Sequence, residues 1–481
     1  TKDPADVSDI SKYVQLLTPD LKVTGADTFL TIEFEDTTLT PPVIPYKEIL
    51  TVGRHEEYRH INEALDAIRH MDRADDGGQV KPVTVSIEPG DYEEMLVIDI
   101  PNVTFVNASG ADASTALKNK GVDIDETAVR ITFYYGHGYT YYSMADNCKF
   151  DERLLWVNSH NGYPTFVNPG SGINDGGYWN ATVVVAADNV QMKGIILENS
   201  FNQYMSKMAV RDLIVPQSVA KEGKFTRAEL SYGSTFVQKK EYVERAAALA
   251  MCDDLSGIYF ENCRIISRQD TLYGGQRTKA AFNRCAIYGS TDYIFGAMTA
   301  VFKDCELVAN TEPQNSADTF YITAVQQFKG RGFLFLDCHV TSCTPGEDTC
   351  FEGRPNQGYF GRPWLGRTSE AVFFGTKIDA TDRPVNRDML NEDGECSLIT
   401  AEGWKNTLGG ESEFMYEFGT LEAAKVDNSE RRAVWANPYA AEEDAYIAAE
   451  EEDGTLSTDK KVKLTRENAV SLFLGEWDPF A

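Results

Sequence analysis

One phrase occurs twice between Ile258 and Gly296. Phe260-x-x-Cys263-x-Ile265 returns as Phe282-x-x-Cys285-x-Ile287, an offset of 22 residues. The series continues as Phe302-x-x-Cys305-x-Leu307 after a step of 20, Phe335-x-x-Cys338-x-Val340 after 33 and Phe373-x-x-Thr376-x-Ile378 after 38. Short β-branched and aromatic runs that recur this way, with no helical periodicity between them, point to a solenoid of stacked strands and away from a βαβ sheet. A right-handed parallel β-helix fits best, because each turn returns the chain to the same phase. The longer steps leave room for inserted loops. Cysteines at one phase stack inside as a column of small, soft side chains.

That phase has a chemical consequence. Asp270 and Asp292 each follow their cysteine by seven residues. Successive rungs lie about 4.8 Å apart, so the two acids line up. Carboxylates that close titrate together, and one pKa rises. One can then serve as a general acid and the other as an anionic nucleophile. On spacing alone, two aspartates that merely end their strands in turns account for the pattern at least as well.

Composition narrows the classes. With 481 residues, 42% of them hydrophobic, the chain can bury a large core. A formal net charge of −29 repels nucleic acid and anionic membranes, so neither is expected as a partner. No run of about 18 apolar residues is present, so no membrane span is expected. The nine cysteines are odd in number and include no C-x-x-C pair, which favours buried thiols over zinc. No metal or other cofactor is expected. The histidines (His55, His60, His70, His137, His160 and His339) lie outside the words discussed here, and there is no G-x-S-x-G elbow, so a serine–histidine triad is not expected.

Along the chain, residues 1–45 read as a small β-rich segment: Thr28 to Phe34 alternates with period two, and Thr40-Pro-Pro-Val-Ile-Pro45 breaks regular structure. In Tyr58 to Met71, Ile61, Leu65 and Ile68 share a helical face, as expected of a helix that caps an open β array. Val83 to Ile98 reads as strand–turn–strand around Pro89-Gly90-Asp91, and short strands resume at Asn102, Thr182 and Val190. Residues 110–180 and 200–242 are long excursions. The first is rich in tyrosine and tryptophan, and either packs on the body or walls a sugar-binding cleft. Asn102 and Asn180 sit in glycosylation sequons, a weak signal. The expected organisation is residues 1–45, a β-helix over 46–400, and a tail over 401–481 whose LFLGEWDPFA end docks on the coil. The acidic run at 442–452 reads as a solvated loop. The chain opens TKDPADVSD, without Met or an apolar run, as expected of a mature form or of a protein without a signal.

Four words strengthen the chemical reading. Ser267-Arg-Gln-Asp-Thr-Leu-Tyr273, Thr291-Asp-Tyr-Ile-Phe-Gly296 and Phe360-Gly-Arg-Pro-Trp-Leu365 resemble three signatures of the pectin methylesterases, and Gly90-Asp-Tyr-Glu-Glu94 resembles that family's early G-x-Y-x-E. The words occur in family order between Val52 and Lys377, with a looser trace through Gly403-Trp404 and Arg432-x-x-Trp435 to Trp477. The resemblance implies the same all-β fold inferred from the repeat. It also implies that Asp292 attacks a galacturonate methyl ester, that Asp270 protonates departing methanol and then activates water, and that Gln269 donates to the oxyanion. Arg362 would pair with Asp292, Trp364 would face a sugar ring, and Phe295 would line the same subsite. At the family's second oxyanion glutamine, in Q-A-V-A-L, this chain has Arg245-Ala-Ala-Ala-Leu249. Arg245 can stabilise an oxyanion or pair with an aspartate, and the sequence does not choose. Pectin is the expected partner and a monomer the expected state, with action outside the cell or at its surface and the cytoplasm left open. A pectate-lyase-like β-helix and a non-catalytic sugar-binding solenoid remain alternatives. The acidic surface leads us to expect a preference for neutral, highly methylated pectin at low salt.

Overall fold

The computed structural model describes residues 22–26, 29–33, 43–111, 117–136, 181–211, 230–239 and 245–481, the last without 386, 387, 389, 427 and 440. Most of the aromatic excursion, including Trp156 and Tyr163, and the sequon at Asn180 lie outside them. Tyr134 and Tyr135 are described, and both are buried. Thr1–Pro45 with His70–Asp72 forms one compact unit, in which Lys22–Ala26 pairs antiparallel with Phe29–Glu33. The remainder forms a second unit.

The second unit is a right-handed parallel β-helix of three sheets with eleven, nine and seven strands among the described residues. One turn shows the plan. Ile258–Glu261 lies in the first sheet, Arg264–Ile266 in the second and Leu272–Gly274 in the third. The next turn stacks Lys279–Asn283, Ala286–Gly289 and Ile294–Gly296 directly upon it.

The Phe-x-x-Cys phrase is the corner between the first two sheets. The residue before each cysteine takes a left-handed backbone: φ is 50° at Asn262, 50° at Arg284, 53° at Asp304 and 55° at Asp337. Asn and Asp tolerate this region because their short polar side chains bond locally. The cysteine then turns inward, and Cys263, Cys285, Cys305 and Cys338 are all at most 1% exposed. Burial pushes the Cys263, Cys285 and Cys305 thiols well above their usual range, as fits inert packing groups. Beside them the phenylalanines stack: the rings of Phe260, Phe282, Phe302, Phe335 and Phe373 follow one another at 5.1, 4.6, 4.7 and 4.4 Å, each pair within 11° of parallel.

The coil outlasts its sequence phrase. Phe414–Phe418 pairs in parallel with Glu370–Phe374, and Asn437–Tyr439 adds a further strand, so the first sheet runs past residue 400. Phe414–Phe418 is buried throughout, but the cysteine phrase has gone, which hid the extra rungs. The acidic run is likewise not a loop: Tyr446–Glu450 pairs with Leu456–Lys463, Ala445, Ile447 and Ala448 are buried, and Glu442 pairs with Arg466. Its apolar residues, Ala445 to Ala449, stand together between the acids, a block long enough for a short strand. At the chain's end, Phe473 and Leu474 are buried in a cluster with Tyr259, Ala281, Val301, Leu334 and Val372, and Leu472 and Trp477 pack against it.

The amphipathic helix is Ile61–Arg69, which buries Ile61, Leu65 and Ile68. Its first amides, Ile61 N and Asn62 N, each donate to the Glu94 carboxylate at 3.0 Å. A negative charge belongs at a helix N-terminus. The Gly90–Glu94 word is thus structural at its last residue.

Candidate active site

The third sheet carries the site. Leu272 pairs with Ile294 and Ile294 with Thr323. Two residues upstream on the three rungs stand Asp270, Asp292 and Tyr321, and the Asp270 amide donates to the Thr291 carbonyl at 3.1 Å. The two aspartates are therefore rung neighbours. Both have left-handed backbones, φ 59° and 49°. The turn reading and the site reading describe the same residues: a turn is what lifts each carboxyl out of the sheet. Both residues are largely buried, 6% and 9% exposed.

Arg362 follows the strand Tyr359–Gly361, and its amide donates to the Thr323 carbonyl at 3.0 Å. Its guanidinium grips Asp292 with two bonds, Nε to Oδ1 at 2.8 Å and Nη2 to Oδ2 at 2.6 Å. A planar fork on a carboxylate fixes direction as well as charge. Arg362 also lies over the Tyr321 ring, 4.3 Å from its centre, and reaches Thr407 Oγ1 at 3.5 Å.

Burial raises the pKa of Asp292, and the hydrogen bonds and charge of Arg362 pull it back only in part. This differs from the expectation that proximity of the two acids would be the main cause. Burial also opposes the charge on Arg362, but bonding to Asp292, with Tyr321 and Asp270 adding their charges, leaves its pKa above the ordinary guanidinium value. Asp270 thus acts on the same guanidinium from the adjacent rung.

Gln269 and Arg245 meet as rung partners through a parallel bridge, although Arg245 lies 24 residues before Gln269 while Leu249 lies 23 before Leu272. A one-residue irregularity absorbs the difference: Ala248 N and Leu249 N both donate to the Thr271 carbonyl, at 2.9 and 3.2 Å. Beneath them the fully buried Arg268 pairs with Asp318 and donates to the Gln238 carbonyl at 2.6 Å and the Asn310 carbonyl at 3.1 Å. Ser290 Oγ donates to the same Asp318 at 2.8 Å. One buried ion pair therefore ties both rungs, two residues before each aspartate.

Trp364 is half-buried, and its ring stacks 6.1 Å from that of Phe295 at 23°. Phe295 is fully covered, so it backs the indole from beneath. The expectation that it lines a subsite is corrected to that supporting position, because the indole occupies the space above it. Tyr321 was missed in the sequence. The signal was present: it precedes Thr323 as Asp292 precedes Ile294, but the loop inserted before Tyr321 obscures the phase. Among the described residues no three His, Cys, Asp or Glu side chains gather as a metal-binding group. No helix among them is long and apolar enough to cross a membrane.

Fold and site together define a parallel β-helix with rung-stacked carboxylates, one of them clasped by arginine. Within that class, the family profile described as Pectinesterase matches residues 217–414 of the chain. The chain is 22% identical over 383 residues to the Aspergillus niger protein named "Probable pectinesterase A", covering 79% of this chain and 80% of that one. It is 29% identical over 188 residues to an Arabidopsis thaliana protein named "Probable pectinesterase/pectinesterase inhibitor 41", covering 39% of this chain. The chain spans only about a third of the length of that relative, 31%. Among solved structures, the pectin methylesterase from Aspergillus niger superposes with a TM-score of 0.50 at 19% identity, over 90% of this chain and 95% of that one. Pectin methylesterase PemA from Erwinia chrysanthemi gives 0.50 at 16%, over 90% and 98%. At these identities the structures bear on the fold.

Proposed function

We propose that the protein is a carboxylic ester hydrolase that removes methyl esters from galacturonate units of pectin. The observation that carries this reading is the Asp292 carboxylate held by both arms of Arg362 on the rung beside Asp270. An Asp292 oxygen attacks the ester carbonyl, and negative charge gathers on the former carbonyl oxygen. Gln269, with Arg245 on the adjacent rung, donates to that oxygen. Collapse expels methoxide, which takes its proton from Asp270 and leaves as methanol. Asp270, now anionic, draws a proton from water, which opens the acyl–Asp292 anhydride and frees the galacturonate carboxylate. Arg362 orients the nucleophile throughout, and Trp364 offers its face to a sugar ring. All of these groups come from one chain, so a monomer suffices. A polymeric substrate fits work outside the cell or at its surface.

The test is methanol release from methylated pectin. An unsaturated uronide product would instead mark a lyase, and binding without turnover a sugar-binding solenoid. Gln269→Ala is expected to lower kcat by about 10²- to 10³-fold, the usual cost of an oxyanion donor. Arg245→Ala should cost about 10²-fold by the same logic. Arg245→Gln, which keeps an N–H donor, should retain most of the rate. A rise in rate on Arg245→Ala would show that Arg245 restrains an aspartate.

The pH profile offers a separate check. Asp292 must be ionised to attack, and its pKa is raised, so kcat/KM should fall as pH drops through a value above the ordinary carboxylate range. Arg362→Leu removes the interactions that oppose burial. The acid limb should then move to higher pH, alongside a lower plateau. An acid limb that stays in place in Arg362→Leu would assign the titration to another group.

A further inference from the structure

A cavity of about 800 Å³ opens beyond the Arg362–Asp292 pair, lined by Arg367, Asn406, Glu411, Glu413, Trp435 and Thr458 among others. Two segments run from the pair to the cavity side by side. At the pair, Arg362 reaches Thr407; further along, Gly409 N donates to the Pro363 carbonyl at 2.9 Å and Gly366 N to the Gly409 carbonyl at 3.0 Å; at the cavity, Arg367 N donates to the Glu411 carbonyl at 2.8 Å. The approach is so close that a Cβ on Gly409 would lie 1.7 Å from the Trp364 carbonyl oxygen. The loop that presents Trp364 is therefore tied by its backbone to the cavity wall. Arg367 follows Arg362 by five residue steps, at most about 18 Å of chain. Trp364 and the cavity wall therefore lie within the span of one bound polymer.

The lining has the make-up of a sugar site with a charge preference. Trp435 is half-buried and presents part of its indole, a flat apolar face edged by a polar N–H. Asn406 and Thr458 are exposed hydrogen-bonding groups. Of the charged side chains, Glu411 and Glu413 are exposed acids and Arg367 a single exposed base. Asn406 Nδ2 already donates to Glu411 Oε1 at 3.0 Å, which leaves that carboxylate oriented along the wall. The local balance is negative, in a chain whose net charge is −29. A free galacturonate entering here meets like charge, and a methyl-esterified one does not.

We propose that this cavity is a second sugar subsite that binds a methyl-esterified galacturonate unit of the chain being processed, with Trp435 as its platform and Glu411 and Glu413 excluding de-esterified units. The proposal rests on the esterase reading and adds to it: the enzyme selects substrate by the state of a unit that it is not attacking. It also gives the expected preference for highly methylated pectin a location.

The experiment compares wild type, Trp435→Ala, Trp435→Phe and the double variant Glu411→Gln/Glu413→Gln on three substrates: long highly methylated pectin, long sparsely methylated pectin, and methylated fragments too short to reach from Trp364 to Trp435. Trp435→Ala should raise KM for the long methylated polymer by about tenfold, with kcat and all short-fragment constants unchanged, and Trp435→Phe should recover most of the loss. The double glutamine variant should raise kcat/KM on sparsely methylated pectin several-fold at low salt, and the gain should vanish at about 1 M salt. Equal KM for wild type and Trp435→Ala on the long polymer, or an equal rise on the short fragments, overturns the proposal. So does an unchanged preference in the glutamine variant. If wild type releases no methanol, the esterase reading fails by itself. Calorimetric binding of the same long methylated pectin to wild type and Trp435→Ala then decides the subsite alone, since equal affinities would eliminate it.

Discussion

Asp292→Asn should lower methanol release from methylated pectin by on the order of 10³-fold or more, the scale at which an essential nucleophile's loss is felt. The amide is nearly isosteric with the carboxylate, so the third sheet should keep its register. It lacks the charge that the proposed mechanism directs at the ester, the same charge that Arg362 holds at 2.6 and 2.8 Å. Two consequences separate this from simple unfolding. Arg362 loses its anionic partner in a part-buried setting, which should reduce stability by a few kcal/mol at most, within the range for breaking such a pair. Affinity for pectin should change little, because Trp364 and Trp435 remain in place. A variant with intact circular dichroism, near-native pectin binding and no turnover is the expected outcome. Undiminished methanol release would remove Asp292 from the chemistry altogether.

Phe302→Ala should destabilise the coil by about 3 to 5 kcal/mol, measured as a shift of the denaturant midpoint. Phe302 is fully buried and stacks on Phe282 at 4.6 Å and Phe335 at 4.7 Å. Removing its ring leaves a gap bounded on both sides by rings fixed to adjacent rungs. The sheet spacing of about 4.8 Å prevents those rings from closing the gap, so the cavity cost should be large. Replacing Val434, which is fully exposed, should leave the midpoint unchanged within about 0.5 kcal/mol.

How much was legible in the chain differs by type of feature. The corner phrase was readable because it obeys local rules: a left-handed residue, an inward cysteine and a strand on either side. The aspartates were readable as a pair because they keep that phase. Tyr321 keeps the phase too, yet an inserted loop before it broke the count. The strands at Phe414–Phe418 and Tyr446–Glu450 were missed for a related reason, since one lacks the cysteine and the other is flanked by acids on both sides. Neither feature prevents a backbone from pairing. Phe295 was placed one layer too high, because alternation along a strand tells which face a ring leaves by and not what later segment covers it.

What the sequence determined by itself was everything repeated at a fixed interval: the parallel coil, its ring and thiol columns, and the two acids one rung apart. Period and phase are local properties, and hydrogen bonding between identical rungs converts them directly into position. What only the tertiary structure decided was which distant segments close over those rungs. Arg362 arrives 70 residues after Asp292, and the Trp435 cavity is assembled from loops with no common period. The raised pKa of Asp292 belongs to the same category, because burial depends on everything packed above the carboxyl and on nothing adjacent to it in the chain.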